Sequence, residues 1–320
     1  MFSSIIEGKG LQSIKEISYK LLDLLANELG SLKSIFITII LLGIISAVFI
    51  NLTDIFGNHQ IANCGFYLTY LIMIIFLVKI FGKVFLLTKE TIENIVSFLE
   101  IFLPTYFLTV KAAGGSVTAI GFYQVFMFVV YGIEVLLVEM ILPITGCYSI
   151  LGIVNGIWEE EKLSLMLQLI KRGITGMRKV LITIVSGTGI IQSMITPVID
   201  SVKMNAVQKS ISIIPGLGDL AGSAAQVLLG SAVLIKNATG LLLLVLLILI
   251  CAIPLLKLFG IMALLKGAAA IMGIAADKRM TQCTNRIGDG VMMLFQMTLC
   301  SITFFVILIS IIAFTTNRGI

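Results

Sequence analysis

Charge is what this chain has least of. Only 12% of its 320 residues are Asp, Glu, Lys or Arg, about half the share of a soluble globular domain. An ordinary soluble domain with a charged surface is excluded. There is one histidine, His59, in a polar stretch, and no His-Glu-x-x-His, paired-aspartate or Gly-x-Ser-x-Gly motif accompanies it. A solvated loop residue is the simpler reading of His59, and no enzyme activity is expected. The five cysteines, Cys64, Cys147, Cys251, Cys283 and Cys300, are odd in number and lack Cys-x-x-Cys spacing, and Cys251 and Cys300 lie inside apolar runs. Neither a disulfide framework nor a metal site is expected, and nothing in the composition asks for a cofactor. A Gly-rich phosphate loop ending in Lys and Ser or Thr is missing, so the chain is not its own ATP-driven motor. That excludes primary active transport only, since a secondary carrier needs no such loop. No basic tail or RNA-binding motif occurs. The net charge of +5, spread over short loops, concerns orientation in a bilayer rather than nucleic-acid binding. The first apolar run begins only near Ile35, so no ordinary signal peptide is expected.

What the chain has in excess is apolar sequence, 58% of its residues, with a mean hydropathy of +1.11. The class is all-α, a polytopic membrane helical bundle with short, broken or re-entrant helices. Residues 1–33 carry leucines and isoleucines at three-and-four spacing among lysines and acids, the pattern of an interfacial helix lying on lipid. Residues 34–157 form an N-terminal membrane region. Since about 20 residues are needed to cross, spans are expected at 35–50, 66–87, 92–110 and 118–142. The short run 143–157 reads as a re-entrant hairpin or tilted half-span. Residues 158–180 form an amphipathic surface helix, opened by Trp158 and Glu159 to Glu161 and closed by Lys171, Arg172, Arg178 and Lys179, the order favoured by the helix dipole. In the C-terminal membrane region, 181–320, the expected elements are a one-sidedly polar run at 181–199, a glycine-rich capped helix at 214–240, a span at 241–256, a small-residue helix at 259–276, a polar loop at 277–290 and a last span at 291–314. Six of these runs are spans and two or three are shorter helices. Lysine and arginine concentrate at 79–89, 162–179 and 257–286, which places those stretches on the cytoplasmic side.

Three sets of residues are candidates for function. Gly218, Gly222 and Gly230 fall at helical spacings of four and eight, and Gly187, Gly189 and Gln192 lie on the polar side of 181–199. Either set could be a face for packing within the chain, for meeting another subunit, or for lining a pore. Glu100, Glu134 and Glu139 are charges within apolar runs, where a charge costs roughly 2.5 to 3.5 kcal/mol on insertion scales. They mark a pathway, or else Glu134 and Glu139 reach headgroups and Glu100 pairs with Lys79 or Lys83. Finally, Lys171, Arg172, Arg178 and Lys179 form a candidate docking surface.

The stretch 212–240 holds Ile-Pro-Gly-Leu-Gly-Asp at 214–219, Leu-Gly-Ser at 229–231 and Lys-Asn-Ala-Thr-Gly at 236–240, and Cys-Ala-Ile-Pro-Leu-Leu-Lys follows at 251–257. This run resembles the central signature of the stage III sporulation protein AE family. The resemblance is close in the C-terminal part and one of hydropathy alone in the N-terminal half. It implies a polytopic protein of the mother-cell membrane around the forespore, one of several stage III sporulation membrane proteins that form a channel or feeding apparatus. The role implied is export-apparatus-like or permease-like, with a separate cytoplasmic ATPase subunit as partner and energy source. It also implies a longer, signal-bearing N-terminal region in many members, where this chain opens on an amphipathic segment. The small-residue helices add the expectation of a tightly packed or homo-oligomeric bundle in contact with lipid. The alternatives are a stand-alone secondary carrier of a small solute or ion and a structural scaffold for the channel rings.

Overall fold

Residues 88–91, Thr-Lys-Glu-Thr, hold neither proline nor glycine, so nothing in them stops a helix from running between the apolar stretches on either side. The computed structural model of the chain has one uninterrupted helix there. The structure describes residues 33–48, 59–112, 128–157, 162–211 and 218–317; the amphipathic segment before 33 lies outside them. Within the helices, the side-chain surroundings of 188–237 are also outside the description. The described residues form α1 (Lys33–Val48), α2 (His59–Ala112), α3 (Phe128–Asn155), α4 (Ser164–Ile211), α5 (Gly218–Ala275) and α6 (Lys278–Asn317), with no strand among them.

The helical class is as expected, and the element boundaries differ. Among the described residues, four segments are long and apolar enough to cross a membrane: Cys64–Tyr106, Phe128–Asn155, Ala238–Ile274 and Lys278–Ser310. The expected spans at 66–87 and 92–110 are parts of α2, where Lys89 pairs with Glu93 one turn on at 3.6 Å. The run 143–157 is not a separate hairpin, because it continues α3. The turn Leu136–Ile141 just before Pro143 is π-helical, and such a register shift lets a helix proceed past a residue with no N–H to donate. The glycine-rich segment does not end near Lys236; it runs on through Pro254 to Ala275 as α5. The surface helix likewise passes without a break into the run at 181–199, forming α4.

The fifth difference is the most consequential. Residues 278–290, expected as a polar loop, are the first turns of α6. Asp277 caps them: its carboxylate accepts from the Arg279 N–H at 2.6 Å, and its carbonyl accepts from the Thr281 N–H at 3.1 Å.

By packing, the chain falls into two compact units. One comprises Met1–Thr88, Leu142–Arg172 and Ala252–Gln296, the other Lys89–Ile141, Gly173–Cys251 and Met297–Ile320. In the first unit, Met73, Leu77, Leu265, Ile287, Val291 and Leu294 are fully buried. Between helices surrounded by lipid tails, such burial stabilises through close van der Waals contact, which small residues permit. Glycines make that contact here. A Cβ on Gly43 would run into the Met272 side chain, and one on Gly290 would overlap Ser149 Oγ and lie 3.1 Å from Phe81 Cε2. In the second unit, Ile95, Leu99, Val130, Leu247, Phe305 and Ile309 share one core, and Gly240 lets the Tyr106 ring lie against α5. Outward-facing apolar residues such as Leu241, Val245 and Ile248 follow a helical stripe and suit lipid contact.

Candidate functional site

Two polar stripes meet in the first unit. On α4, Ser164, Leu167, Gln168 and Lys171 fall at helical spacings of three, four and seven, and on α6, Gln282, Asn285, Arg286 and Asp289 repeat the same spacing. Each set therefore lies on one face of its helix. The structure turns these faces toward one another around an open cleft of about 260 Å³, to which Tyr148 of α3 also contributes.

Asp289 is the centre of the arrangement. Its side chain is only 17% exposed, and it accepts from Lys171 Nζ at 3.0 Å and from Lys266 Nζ on α5. The Tyr148 hydroxyl donates to the same carboxylate at 3.4 Å. Lys266 Nζ also donates to Asn285 Oδ1 at 2.7 Å, so one ammonium ties two successive turns of α6. A carboxylate in an apolar bundle is costly unless it is paired and hydrogen-bonded, and Asp289 has both kinds of partner.

Glycine places these groups. The missing side chain of Gly152 lets α3 approach α6 at Arg286, where a Cβ would lie 3.3 Å from Arg286 Cβ. Gly290 does the same beside Ser149, and Gly288 leaves room for the Lys266 stem, which a Cβ would meet at 3.3 Å. At the end of α3, the buried Asn155 accepts from the Leu163 N–H at 2.7 Å and fixes the approach to α4. At the start of α6, Arg279 is held by Asp277 and stacks over the Phe66 ring, 4.1 Å from its centroid.

The residues expected from sequence distribute unevenly. Lys171 belongs to the cleft and is engaged by Asp289. Arg172 is exposed in the same unit, whereas Arg178, half-buried, and Lys179, exposed, belong to the second unit. Glu100 and Glu139 are exposed and Glu134 is half-buried. Glu134 interacts electrostatically with Glu100 and Glu93, so two of the candidate charges are brought together in the second unit. Glu139 lies in the π-helical turn. Gly187 is half-buried with open space where a Cβ would project. Gly189 and Gln192 fall within α4 and Gly218, Gly222 and Gly230 within α5, with side-chain surroundings outside the described residues. His59 is the first residue of α2. Asp289, Lys266 and Arg286 were not among the expected residues. Their signal was available in the i, i+3, i+4, i+7 spacing of Gln282, Asn285, Arg286 and Asp289, which a loop assignment hides.

Comparison with known proteins decides the family. The model of the stage III sporulation protein AE family matches residues 1–316, nearly the whole chain. The chain belongs to that family. The match also takes in the N-terminal half, where the sequence showed resemblance in hydropathy only. One relative, the stage III sporulation protein AE of Bacillus subtilis (strain 168), is 26% identical over 277 residues, which cover 86% of this chain and 69% of the relative. No solved structure matches this family member.

Proposed function

We propose that this protein is a membrane-embedded core component of the mother-cell to forespore transport channel, the feeding apparatus required for endospore formation. Its role is export-apparatus-like or permease-like rather than enzymatic. In this reading it resides in the mother-cell membrane around the forespore. It works with other stage III sporulation membrane proteins, and a cytoplasmic ATPase subunit supplies energy that this chain has no phosphate loop to harvest. The observation that carries the reading is family membership across residues 1–316, and the four apolar helices long enough to cross a membrane support it.

The test is isolation of the tagged protein from sporulating cells after mild cross-linking. Recovery with the other stage III membrane proteins and the ATPase subunit is the expected result. Recovery alone, from cells in which those proteins are present, would count against a channel component.

A second reading, a stand-alone carrier of a small solute or ion, is favoured by the polar cleft of about 260 Å³ in a bundle that is otherwise apolar. It requires transport by the purified protein alone in liposomes, whereas a channel component is silent without its partners. Native mass spectrometry of the solubilised protein adds a separate check, because a closed homo-oligomer supports a conduit built from copies of this chain.

A further inference from the structure

We infer that the cleft between α4 and α6 is a water-filled recess at the depth where the rest of the first unit faces lipid, and so the entry for a polar solute. Entry of a solute rests on the transport reading given above, whereas water in the cleft does not.

Contacts between helices fix which residues share a level. Arg279 stacks over Phe66, Thr284 donates to Met73 Sδ at 3.7 Å, and Gly290 lies beside Phe81. Residues 66–81 of α2 therefore run alongside 279–290 of α6 in the same direction. α5 runs the opposite way, with Gly273 beside Thr281 and Lys266 bonded to Asn285 and Asp289. Gly43 lays α1 against Met272 near the end of α5, and the bond from Lys171 to Asp289 sets α4 on the same scale.

On that level the two sides of the unit differ in kind. Leu68 and Ile75 of α2 are 64% and 67% exposed, Ile274 of α5 is 87% exposed, and Ile37, Leu41 and Ile44 of α1 are exposed as well. Large apolar side chains gathered on the outside of helices long enough to cross a bilayer suit contact with lipid. The stripe on α2 ends where Lys79 and Lys83 face outward, as cations at the edge of a hydrocarbon layer do. On the cleft side, Gln168 and Asn285 are exposed and Ser164 and Gln282 are half-buried. Acyl chains laid over these amides and the hydroxyl would leave their hydrogen-bonding groups unmet, whereas water satisfies them. No surplus of either charge is required, because these groups are neutral. A cleft of about 260 Å³ has room for several waters, since one needs roughly 10 to 15 Å³ of such space.

The experiment uses the full chain, purified and reconstituted in phosphatidylcholine vesicles, with the exposed Cys64 and Cys147 changed to Ser and the buried Cys251, Cys283 and Cys300 kept. Gln168→Cys and Gln282→Cys, which lie outside the bonds to Asp289, and Leu68→Cys and Ile75→Cys on the outer stripe each receive a nitroxide spin label. Ser164→Cys replaces either cleft variant if it does not keep the parent's melting temperature. Electron paramagnetic resonance then reads collisions with a water-soluble nickel chelate and with oxygen, which concentrates in lipid. The expected result is that nickel reaches the cleft labels several-fold more often than the labels at 68 and 75, with oxygen in the reverse order. Oxygen without nickel at the cleft labels would show lipid in the cleft, and neither reagent there would show a cleft sealed by protein; either overturns the recess. Nickel at all four positions would put the first unit outside the bilayer and overturn it too. A wet cleft in a protein that is always recovered without the other stage III proteins would keep the recess and sink the channel reading instead.

Discussion

Lys171 donates to Asp289 at 3.0 Å, joining residues 118 positions apart in sequence. With Lys266 on the other oxygen, the pair ties α4, α5 and α6 together at one end of the first unit. The partners differ in burial: Asp289 is 17% exposed and Lys171 is 48% exposed. The two ends of the contact should therefore respond differently to mutation. Asp289→Ala removes the carboxylate that two ammonium groups share, and should lower stability by about 1 to 3 kcal/mol, below the full buried-pair figure because both lysines reach solvent. Lys171→Met removes a half-exposed partner and should cost less than about 1 kcal/mol. Thermal unfolding of the two variants in one detergent checks the order, and equal losses would show that Asp289 is not the hub.

The glycines beside this network permit a sharper test. Gly290→Ala would place a methyl against Ser149 Oγ and Phe81, so a loss of about 1 to 3 kcal/mol is expected from overpacking. Adding Ser149→Ala should restore part of it, because the overlapping atom is then gone. Gly82 is exposed with nothing within 4 Å of its would-be Cβ, so Gly82→Ala should show no loss. If Gly82→Ala and Gly290→Ala fall equally in melting temperature, the approach of α3 to α6 is looser than these distances require.

How far these features were legible from sequence follows from what each depends on. Apolar content set the helical membrane class, and the small-residue run with its Pro-Gly and Lys-Asn motifs led to the family. Helix boundaries were harder, because they depend on what polar residues meet in the fold. Thr88 to Thr91 look like a loop between two spans, yet Thr88 and Thr91 are buried and the helix carries through. Residues 278–290 look like a loop because polar and charged residues crowd there and Gly288 and Gly290 close the stretch. Asp289 finds Lys171 and Lys266 only once α4 and α5 are packed. Lys171 reads as a docking residue because its helix is charged beside an apolar stripe, and the carboxylate it meets lies 118 positions further along the chain.

The start of α6 gives a local test of the corrected boundary. Asp277 caps the helix through the Arg279 N–H at 2.6 Å, and Asp277→Ala should cost about 1 kcal/mol, the usual value for losing such a cap. The effect should be local: amide hydrogen exchange should speed up at Arg279 to Gln282 and stay unchanged near Leu294. Asp277→Asn keeps an accepting side-chain oxygen and should retain most of the protection. Rapid exchange across 278–290 in the unaltered protein would restore the loop reading.

The docking surface proposed for the cytoplasmic ATPase subunit or a neighbouring membrane protein needs a test that the ion pair does not confound. Reversing all four cations to Glu would also set a Glu at 171 against Asp289, and lost co-purification could then reflect a damaged first unit. Arg172 and Lys179 are exposed, and neither lines the cleft. The double variant Arg172→Glu/Lys179→Glu should therefore weaken co-purification with the partner several-fold while leaving the melting temperature of the isolated protein within about a degree, as surface substitutions generally do. Lys171→Glu alone should instead lower the melting temperature. If binding survives the exposed pair and is lost only with Lys171→Glu, the basic stripe is not a docking surface, and its one contribution to assembly is the contact that Lys171 makes with Asp289.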